Sequence, residues 1–122
     1  MKKANQDSRV YLQDIRQAID RIEQYTAPDK RAFFDDQKTQ DAVIRQLSIM
    51  GEAAGKLPAK LRTGYPAIPW KQIIGMRNIL IHDYSEISVE RVWETVEHDL
   101  PGLKKAIEYM IAEEGNTSAK AH

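Results

Sequence analysis

The sequence predicts an all-α protein, an antiparallel four-helix bundle with a kinked last helix. In three segments, apolar residues recur at the spacing of an amphipathic helix, a further segment is apolar nearly all round, and no segment reads convincingly as a strand. The chain of 122 residues has the size of one domain. Amphipathic helices with short connections bury their apolar faces most simply in an antiparallel bundle. We expect the bundle to occupy residues 1–114, with a flexible tail at 115–122.

The first two helices are bounded by polar caps and by prolines. The first carries apolar residues on one face of "YLQDIRQAIDRIEQY", and the second carries them on one face of "DAVIRQLSIMGEAAGKL". A polar connection with a short turn of its own joins the two helices. The expected caps and stops are Asp7, Ser8 and Pro28 for the first helix, and Asp36, Thr39 and Pro58 for the second.

A proline-rich loop, "KLPAKLRTGYPAIPW", leads to the third helix and is expected to hold one helical turn. The third helix is predicted at about Trp70 to His82, and it is apolar nearly all round. The fourth helix begins at a cap on Ser88. Because proline cannot donate a backbone hydrogen bond and glycine favours non-helical backbone, Pro101 and Gly102 are expected to kink it.

Composition excludes several classes of protein. The chain has no cysteine, which excludes disulfides and thiolate metal sites and fits a reducing cytoplasm. Its first residues are basic and polar without an apolar segment behind them, so no signal peptide is expected. No run of residues approaches the length of a membrane span, and no membrane association is expected. The sequence therefore predicts a cytoplasmic protein.

The charges are unevenly distributed although they sum to zero. Residues 53–82 contain five basic residues and no acidic residue, with Tyr65 and Trp70 among them. A solvated surface is one interpretation of such a stretch. The other is a surface that binds RNA phosphates while the rings stack on bases. The possible RNA-binding residues are Lys56, Lys60, Arg62 and Lys71.

The apolar third helix carries an arginine and a histidine, Arg77 and His82. Five residues apart on a helix, they lie about 140° apart around the axis and about 7.5 Å along it, so they do not share a face. If they serve one site, either the helix ends near His82 or a second copy of the chain contributes its own pair. The apolar surface of this helix favours a homodimer.

Arginine and histidine together can catalyse the cleavage of RNA. The imidazole can remove the proton of the 2′-hydroxyl, and the guanidinium can stabilise the charge that develops on the phosphate, without a metal ion or a cofactor. The structural alternative is that His82 caps the helix and that Arg77 pairs with Glu52 or Asp83. The spacing alone leaves both interpretations open.

Other polar residues give weaker signals. Glu94, Glu97 and His98 lack the Glu-x-x-His spacing of carboxylate-bridged metal sites in helical bundles, so no metal site is expected. Arg45 and Glu52 lie two turns apart on one side of the second helix. They either hydrogen-bond the active-site groups or form ion pairs at the surface.

Four segments in order carry a family resemblance: "YLQDIRQAIDRIEQY", "DAVIRQLSIMGEAAGKLP", "YPAIPWKQIIGMRNILIHDY" and "VWETVEHDLPGL". Together they resemble the HepT-like family of the HEPN superfamily, over most of the chain. The resemblance implies a dimeric, metal-independent endoribonuclease on a helical bundle. It also implies the toxin of a type VII-like toxin–antitoxin system, encoded with a minimal nucleotidyltransferase as antitoxin.

By the same resemblance, Arg77 and His82 are the catalytic pair and Asn78 is their polar neighbour. Tyr84 is the residue that receives AMP from the antitoxin. Asp83 stands where the family often has glycine, and its charge would favour a protonated imidazole. The alternative function is a non-catalytic HEPN module that binds a nucleotidyltransferase or a nucleotide.

Overall fold

The computed structural model describes the backbone of residues 2–27, 29–82 and 88–120, and the side chains of residues 8–27, 29–77 and 88–114. Regular structure in these residues is helical throughout, which confirms the all-α prediction. The helices are α1 (Lys2–Thr26), α2 (Lys30–Asp35), α3 (Gln37–Lys56), α4 (Ala59–Thr63), α5 (Trp70–His82), α6 (Val89–Glu94) and α7 (Leu100–Lys120), with a π-helical turn at Thr95–Asp99.

Ion pairs show that α1 and α7 run antiparallel. Arg16 Nη2 lies 3.4 Å from Glu108 Oε2. About two turns later along α1, Glu23 Oε1 lies 2.9 Å from Lys104 Nζ. Residue numbers therefore rise along one helix as they fall along the other. Because these side chains are largely exposed, each pair contributes at most about 1 kcal/mol and serves mainly to mark the register.

α3 also runs antiparallel to α1. The last residue of α3, Lys56, places its Nζ 5.7 Å from the centre of the Tyr11 ring, which lies in the N-terminal half of α1. The connection that reverses the chain contains α2, whose Phe33 is fully buried and lies 5.1 Å from the Trp93 ring. The short α2 helix thus closes one end of the bundle with an aromatic cluster.

A single core lies between α1, α3, α5 and the α6–α7 segment. The predicted apolar stripes of the first two helices point into it, which confirms their helical periodicity. The fully buried large side chains are Leu12, Ile15, Ile19, Ile22, Phe33, Val43, Leu47, Met50, Ile73, Leu103, Ile107 and Met110.

The predicted caps at Asp36 and Ser88 are confirmed for α3 and α6, whereas the predicted cap at Thr39 is wrong, because Thr39 lies inside α3. Asp36 accepts hydrogen bonds from the backbone N–H of Lys38 at 3.0 Å and from Thr39 Oγ1 at 2.9 Å. Ser88 Oγ accepts one from the backbone N–H of Arg91 at 3.3 Å. These bonds satisfy donors that the first turn of a helix leaves without a partner.

The predicted start of the first helix is wrong. α1 begins at Lys2, so Asp7 and Ser8 lie inside it rather than at its cap. Ser8 is buried, with 4% of its surface exposed. The residues before it include lysine, alanine and glutamine, whose helix propensities are high enough to extend the helix past two residues that favour caps.

The last long helix is interrupted before Pro101. In the π-helical turn at Thr95–Asp99 the backbone hydrogen bonds span five residues instead of four. The N–H of Leu100 donates to the carbonyl oxygen of Thr95. A proline has no N–H, and its ring crowds the preceding turn, so a wider turn at this point accommodates it. The π-helical turn lies before Pro101, α7 continues through Pro101 and Gly102 to Lys120, and a kink at these two residues stays a prediction. The division of the chain into a bundle at residues 1–114 and a flexible tail at residues 115–122 stays a prediction.

None of the described helices is long and apolar enough to cross a membrane.

Candidate active site and basic groove

Gly51 lets α3 and α5 approach closely at the position of Arg77. A Cβ atom on Gly51 would lie 2.7 Å from the carbonyl oxygen of Ile73 and 3.4 Å from the Cβ of Arg77. A Cβ on Gly55, one turn later, would lie 3.6 Å from Ile74 Cγ2, which is an ordinary contact. Gly51 thus holds the backbone of Arg77 directly against α3.

The side chain of Arg77 is exposed. Among the described side chains, none forms an ion pair or a hydrogen bond with its guanidinium. The alternative that Arg77 pairs with Glu52 is therefore wrong, because the Glu52 carboxylate lies 4.0 Å from Lys56 Nζ instead. Arg45 is exposed on α3. The other carboxylate of that alternative, Asp83, lies outside the described residues.

Residues 83–87 lie outside the described residues, and the described part of α5 runs from Trp70 to His82. Helical geometry through this residue keeps positions 77 and 82 about 140° apart around the axis, so the two do not share a face of one helix. The side chains of Asn78 and His82, and all of Asp83 and Tyr84, lie outside the described residues. Their proposed roles stay predictions.

An open groove of about 650 Å³ runs between α4, the loop that follows it and the first turns of α5. Two cations, Arg62 and Lys71, line it together with apolar surface, and no carboxylate is among its lining residues. The lining residues are Ala59, Arg62, Thr63, Pro66, Trp70, Lys71, Ile74 and Gly75.

Local hydrogen bonds give this groove a rigid wall. Trp70 Nε1 donates to the carbonyl of Tyr65 at 3.1 Å, and Arg62 Nε donates to the carbonyl of Leu57 at 3.3 Å. Burial raises the pKa of the Tyr65 phenol, and so, to a smaller extent, do the nearby Tyr109 and Glu113. The bond to Leu57 uses only the Nε–H of Arg62, so its terminal amino groups are available for an anion.

The structure separates the four predicted RNA-binding residues. Arg62 and Lys71 share the groove. Lys56 faces Glu52 and the ring of Tyr11, and Lys60 is exposed on α4 outside the lining. The sequence predicts one basic surface, whereas the structure divides these residues and forms a groove that the sequence does not reveal.

The structure also assigns a role to Gly51 that the sequence analysis missed. The signal was present, because Gly51, Ala54 and Gly55 form a run of small residues at helical spacing, as is typical of closely packed helices. His98 Nε2 lies 3.5 Å from Glu97 Oε1, and the described residues contain no cluster of three or more side chains that could hold a metal ion.

Comparison with known proteins identifies relatives of this chain. A family model described as "Ribonuclease HepT-like" matches residues 15–110. A protein of Thermococcus cleftensis named "Probable ribonuclease HepT" is 42% identical over 109 residues, which cover 88% of this chain and 96% of that protein.

Two further relatives carry ribonuclease names. A protein of Methanocaldococcus jannaschii named "Putative RNase" is 39% identical over 106 residues, 86% of this chain and 91% of its own. The "mRNA nuclease HepT" of Shewanella oneidensis is 37% identical over 43 residues, which cover 35% of this chain and 32% of that protein. No solved structure gives a significant match.

Proposed function

Since the chain belongs to the HepT-like ribonuclease family, we propose that it is an endoribonuclease that cleaves RNA by acid–base catalysis at Arg77 and His82, without a metal ion. One observation carries the proposal. Arg77 is exposed on α5 without a described partner, and the histidine follows five residues later in the same helix. A catalytic guanidinium needs this freedom, because its planar donors must contact the phosphate.

The proposed reaction is attack of the ribose 2′-oxygen on the adjacent phosphorus. His82 removes the proton of the 2′-hydroxyl, the bond from oxygen to phosphorus forms, and the bond to the 5′-oxygen of the next nucleotide breaks. The 5′-oxygen leaves with a proton, and the other product ends in a 2′,3′-cyclic phosphate. Arg77 stabilises the negative charge that builds up on the non-bridging oxygens.

We propose further that two chains form the active cleft, since positions 77 and 82 lie on different faces of α5. In one chain, Met76 of this helix is only half buried. A second copy packed against α5 would cover this apolar surface. It would also bring the arginine of one subunit towards the histidine of the other.

The chain is also proposed to be a toxin controlled by a cognate minimal nucleotidyltransferase. In this step the Tyr84 hydroxyl attacks the α-phosphorus of ATP, an oxygen–phosphorus bond forms, the hydroxyl proton is lost and pyrophosphate leaves. The AMP would add bulk and negative charge beside His82, where a phosphate of the RNA must bind, and so block the site.

Cleavage of RNA in the presence of EDTA tests the catalytic proposal. The wild type is expected to produce cyclic-phosphate ends, and Arg77→Ala and His82→Ala are each expected to lower the rate by about a hundredfold or more. Arg21→Ala on α1 and His98→Ala in the π-helical turn are the matched controls, because both residues are exposed and lie outside the site.

Equal rates for His82→Ala and the wild type would exclude this mechanism, as would a complete loss of cleavage in chelator. A folded wild type that binds a nucleotidyltransferase or a nucleotide but never cleaves RNA would favour the alternative, a non-catalytic binding module.

A further inference from the structure

The groove between α4 and α5 combines the features of a nucleotide site. Its volume of about 650 Å³ lies within the range of small-molecule sites, and apolar side chains form most of its surface. Arg62 and Lys71 line it without a carboxylate among the lining residues. Such a groove matches a ligand with one flat apolar part and one anionic part.

We propose that this groove binds one nucleotide of single-stranded RNA at a position away from the scissile bond. This inference rests on the proposed function and deepens it, because it assigns a substrate class and a subsite. The base lies against Pro66 and Ile74, and its phosphate contacts Arg62 and Lys71. A duplex does not fit, since its bases are stacked and paired and cannot enter a groove of this kind.

The direction of α5 connects the groove with the proposed site of cleavage. At about 100° per residue, positions 71, 75, 78 and 82 fall within a sector of about 60°, so they follow one face of the helix. Position 82 lies about 16.5 Å beyond position 71 along the axis. An RNA strand that starts in the groove and follows this face therefore reaches the end of α5 after a few nucleotides.

The other two predicted RNA-binding residues, Lys56 and Lys60, lie outside the groove and serve as controls. Lys56 lies close to Glu52, and a phosphate there would meet the carboxylate. Lys60 is exposed but does not line the groove. The proposal thus assigns RNA binding to two of the four candidate cations. Substitution of Lys60 should reduce the affinity for RNA much less than substitution of Lys71.

A larger side chain at position 75 can fill the groove with little disturbance of the fold. It lines the groove, and a Cβ atom on it would meet nothing within 4 Å. Gly75→Leu therefore occupies the ligand space from an unobstructed position, and it raises the helix propensity. The matched control is Gly102→Leu, a helical glycine of α7 with equally open space, outside the groove.

Binding is measured by fluorescence anisotropy with a labelled 2′-O-methyl RNA oligonucleotide. This probe lacks the attacking hydroxyl, so it stays intact whether or not the proposed cleavage chemistry is correct. We expect Gly75→Leu to weaken binding by about tenfold and Gly102→Leu to leave it unchanged. Lys71→Ala should reduce the slope of log K against log salt by about 0.7, the value for one lost phosphate contact on a single strand, and Lys60→Ala should not.

Tryptophan fluorescence gives a second readout at the groove itself. The chain has two tryptophans, so Trp93→Phe leaves Trp70, which lines the groove, as the sole emitter. Titration with uridine monophosphate should quench Trp70, and the quenching should disappear in the Trp93→Phe, Gly75→Leu double variant.

Three results would overturn the proposal: equal affinities of Gly75→Leu and wild type, equal losses for Gly75→Leu and Gly102→Leu, or a change of oligomeric mass caused by Gly75→Leu. The last result would assign the groove to contact between subunits. Melting temperatures of all variants verify that they are folded. Failure of the cleavage assay with intact groove binding would reject the catalytic proposal alone.

Discussion

Gly51 of α3 packs against the backbone of Arg77 on α5, and this contact sets the position of the proposed catalytic arginine. A Cβ on residue 51 would lie 3.3 Å from Arg77 N and 2.7 Å from the carbonyl oxygen of Ile73. The obstructing atoms are backbone atoms, which cannot rotate away. Any side chain at position 51 must therefore move one helix relative to the other.

Gly51→Ala should consequently harm both stability and activity. Overpacking of this kind costs about 1–3 kcal/mol, and the higher helix propensity of alanine offsets at most about 1 kcal/mol of it. We expect a lower melting temperature and a cleavage rate that falls further than the folded fraction does, because Arg77 moves with α5.

Gly55→Ala is the matched control for this effect. It makes the same chemical change one turn away, where the new Cβ would have an ordinary contact at 3.6 Å. It should keep the activity and leave stability equal or slightly higher. Similar behaviour of the two variants would contradict the role assigned to Gly51.

The cap at Asp36 should contribute to stability without contributing to activity. Asp36→Ala removes the bonds from Lys38 N–H and Thr39 Oγ1 at the start of α3. The expected loss is about 1 kcal/mol of the free energy of unfolding, measured by urea denaturation. Asp35→Ala, at the exposed end of α2, should change it by less than about 0.5 kcal/mol. An equal effect of the two substitutions would argue against the cap.

Light scattering of the purified chain tests the proposed homodimer. Met76 is half buried on α5, and Met76→Lys should convert a dimer into a monomer and abolish cleavage, because a lysine in an apolar interface loses hydration without gaining a partner. Val10→Lys, at an apolar side chain of α1 that is 55% exposed, is the control and should remain dimeric. A wild type that is monomeric at micromolar concentration and still cleaves RNA would exclude the proposal that two chains form the active cleft.

Mass spectrometry of the chain co-expressed with its cognate nucleotidyltransferase tests the proposed control at Tyr84. We expect the mass of one AMP to be added, cleavage to be lost, and both effects to be absent in Tyr84→Phe. Tyr109→Phe, at an exposed phenol of α7, is the matched control and should still accept AMP. Addition of AMP that persists in Tyr84→Phe would place the modification elsewhere, and inhibition without a mass change would favour occlusion by the partner.

Helix positions were predictable because their signals are local. The caps at Asp36 and Ser88, the stop before Pro58 and the span of α5 each depend on residues within one or two turns. The start of α1 was not predictable from caps alone, since residues that favour a cap also occur inside a helix when their neighbours have high helix propensity.

For the candidate site, too, the features that depend on nearby residues were predictable and the others were not. Arg77 and His82 stand out in the sequence as polar residues in an apolar helix, and the family motif around them is contiguous. The grouping of basic residues was only partly predictable: sequence proximity put Lys56 with Arg62 and Lys71, whereas the structure places Lys56 against Glu52 and Tyr11. Which of several neighbouring cations share a surface depends on the direction in which each side chain leaves its helix.

The sequence by itself determined the all-α class, the helix boundaries set by caps and prolines, and the family, because periodicity and motifs are carried by residues close in the chain. Only the tertiary structure decided that Gly51 holds Arg77 against α3 and that α4 and α5 enclose a groove with Arg62 and Lys71 at its wall. These features join segments that are separated in the chain. They arise from how closely helices pack, which depends on all their facing side chains together rather than on any local pattern.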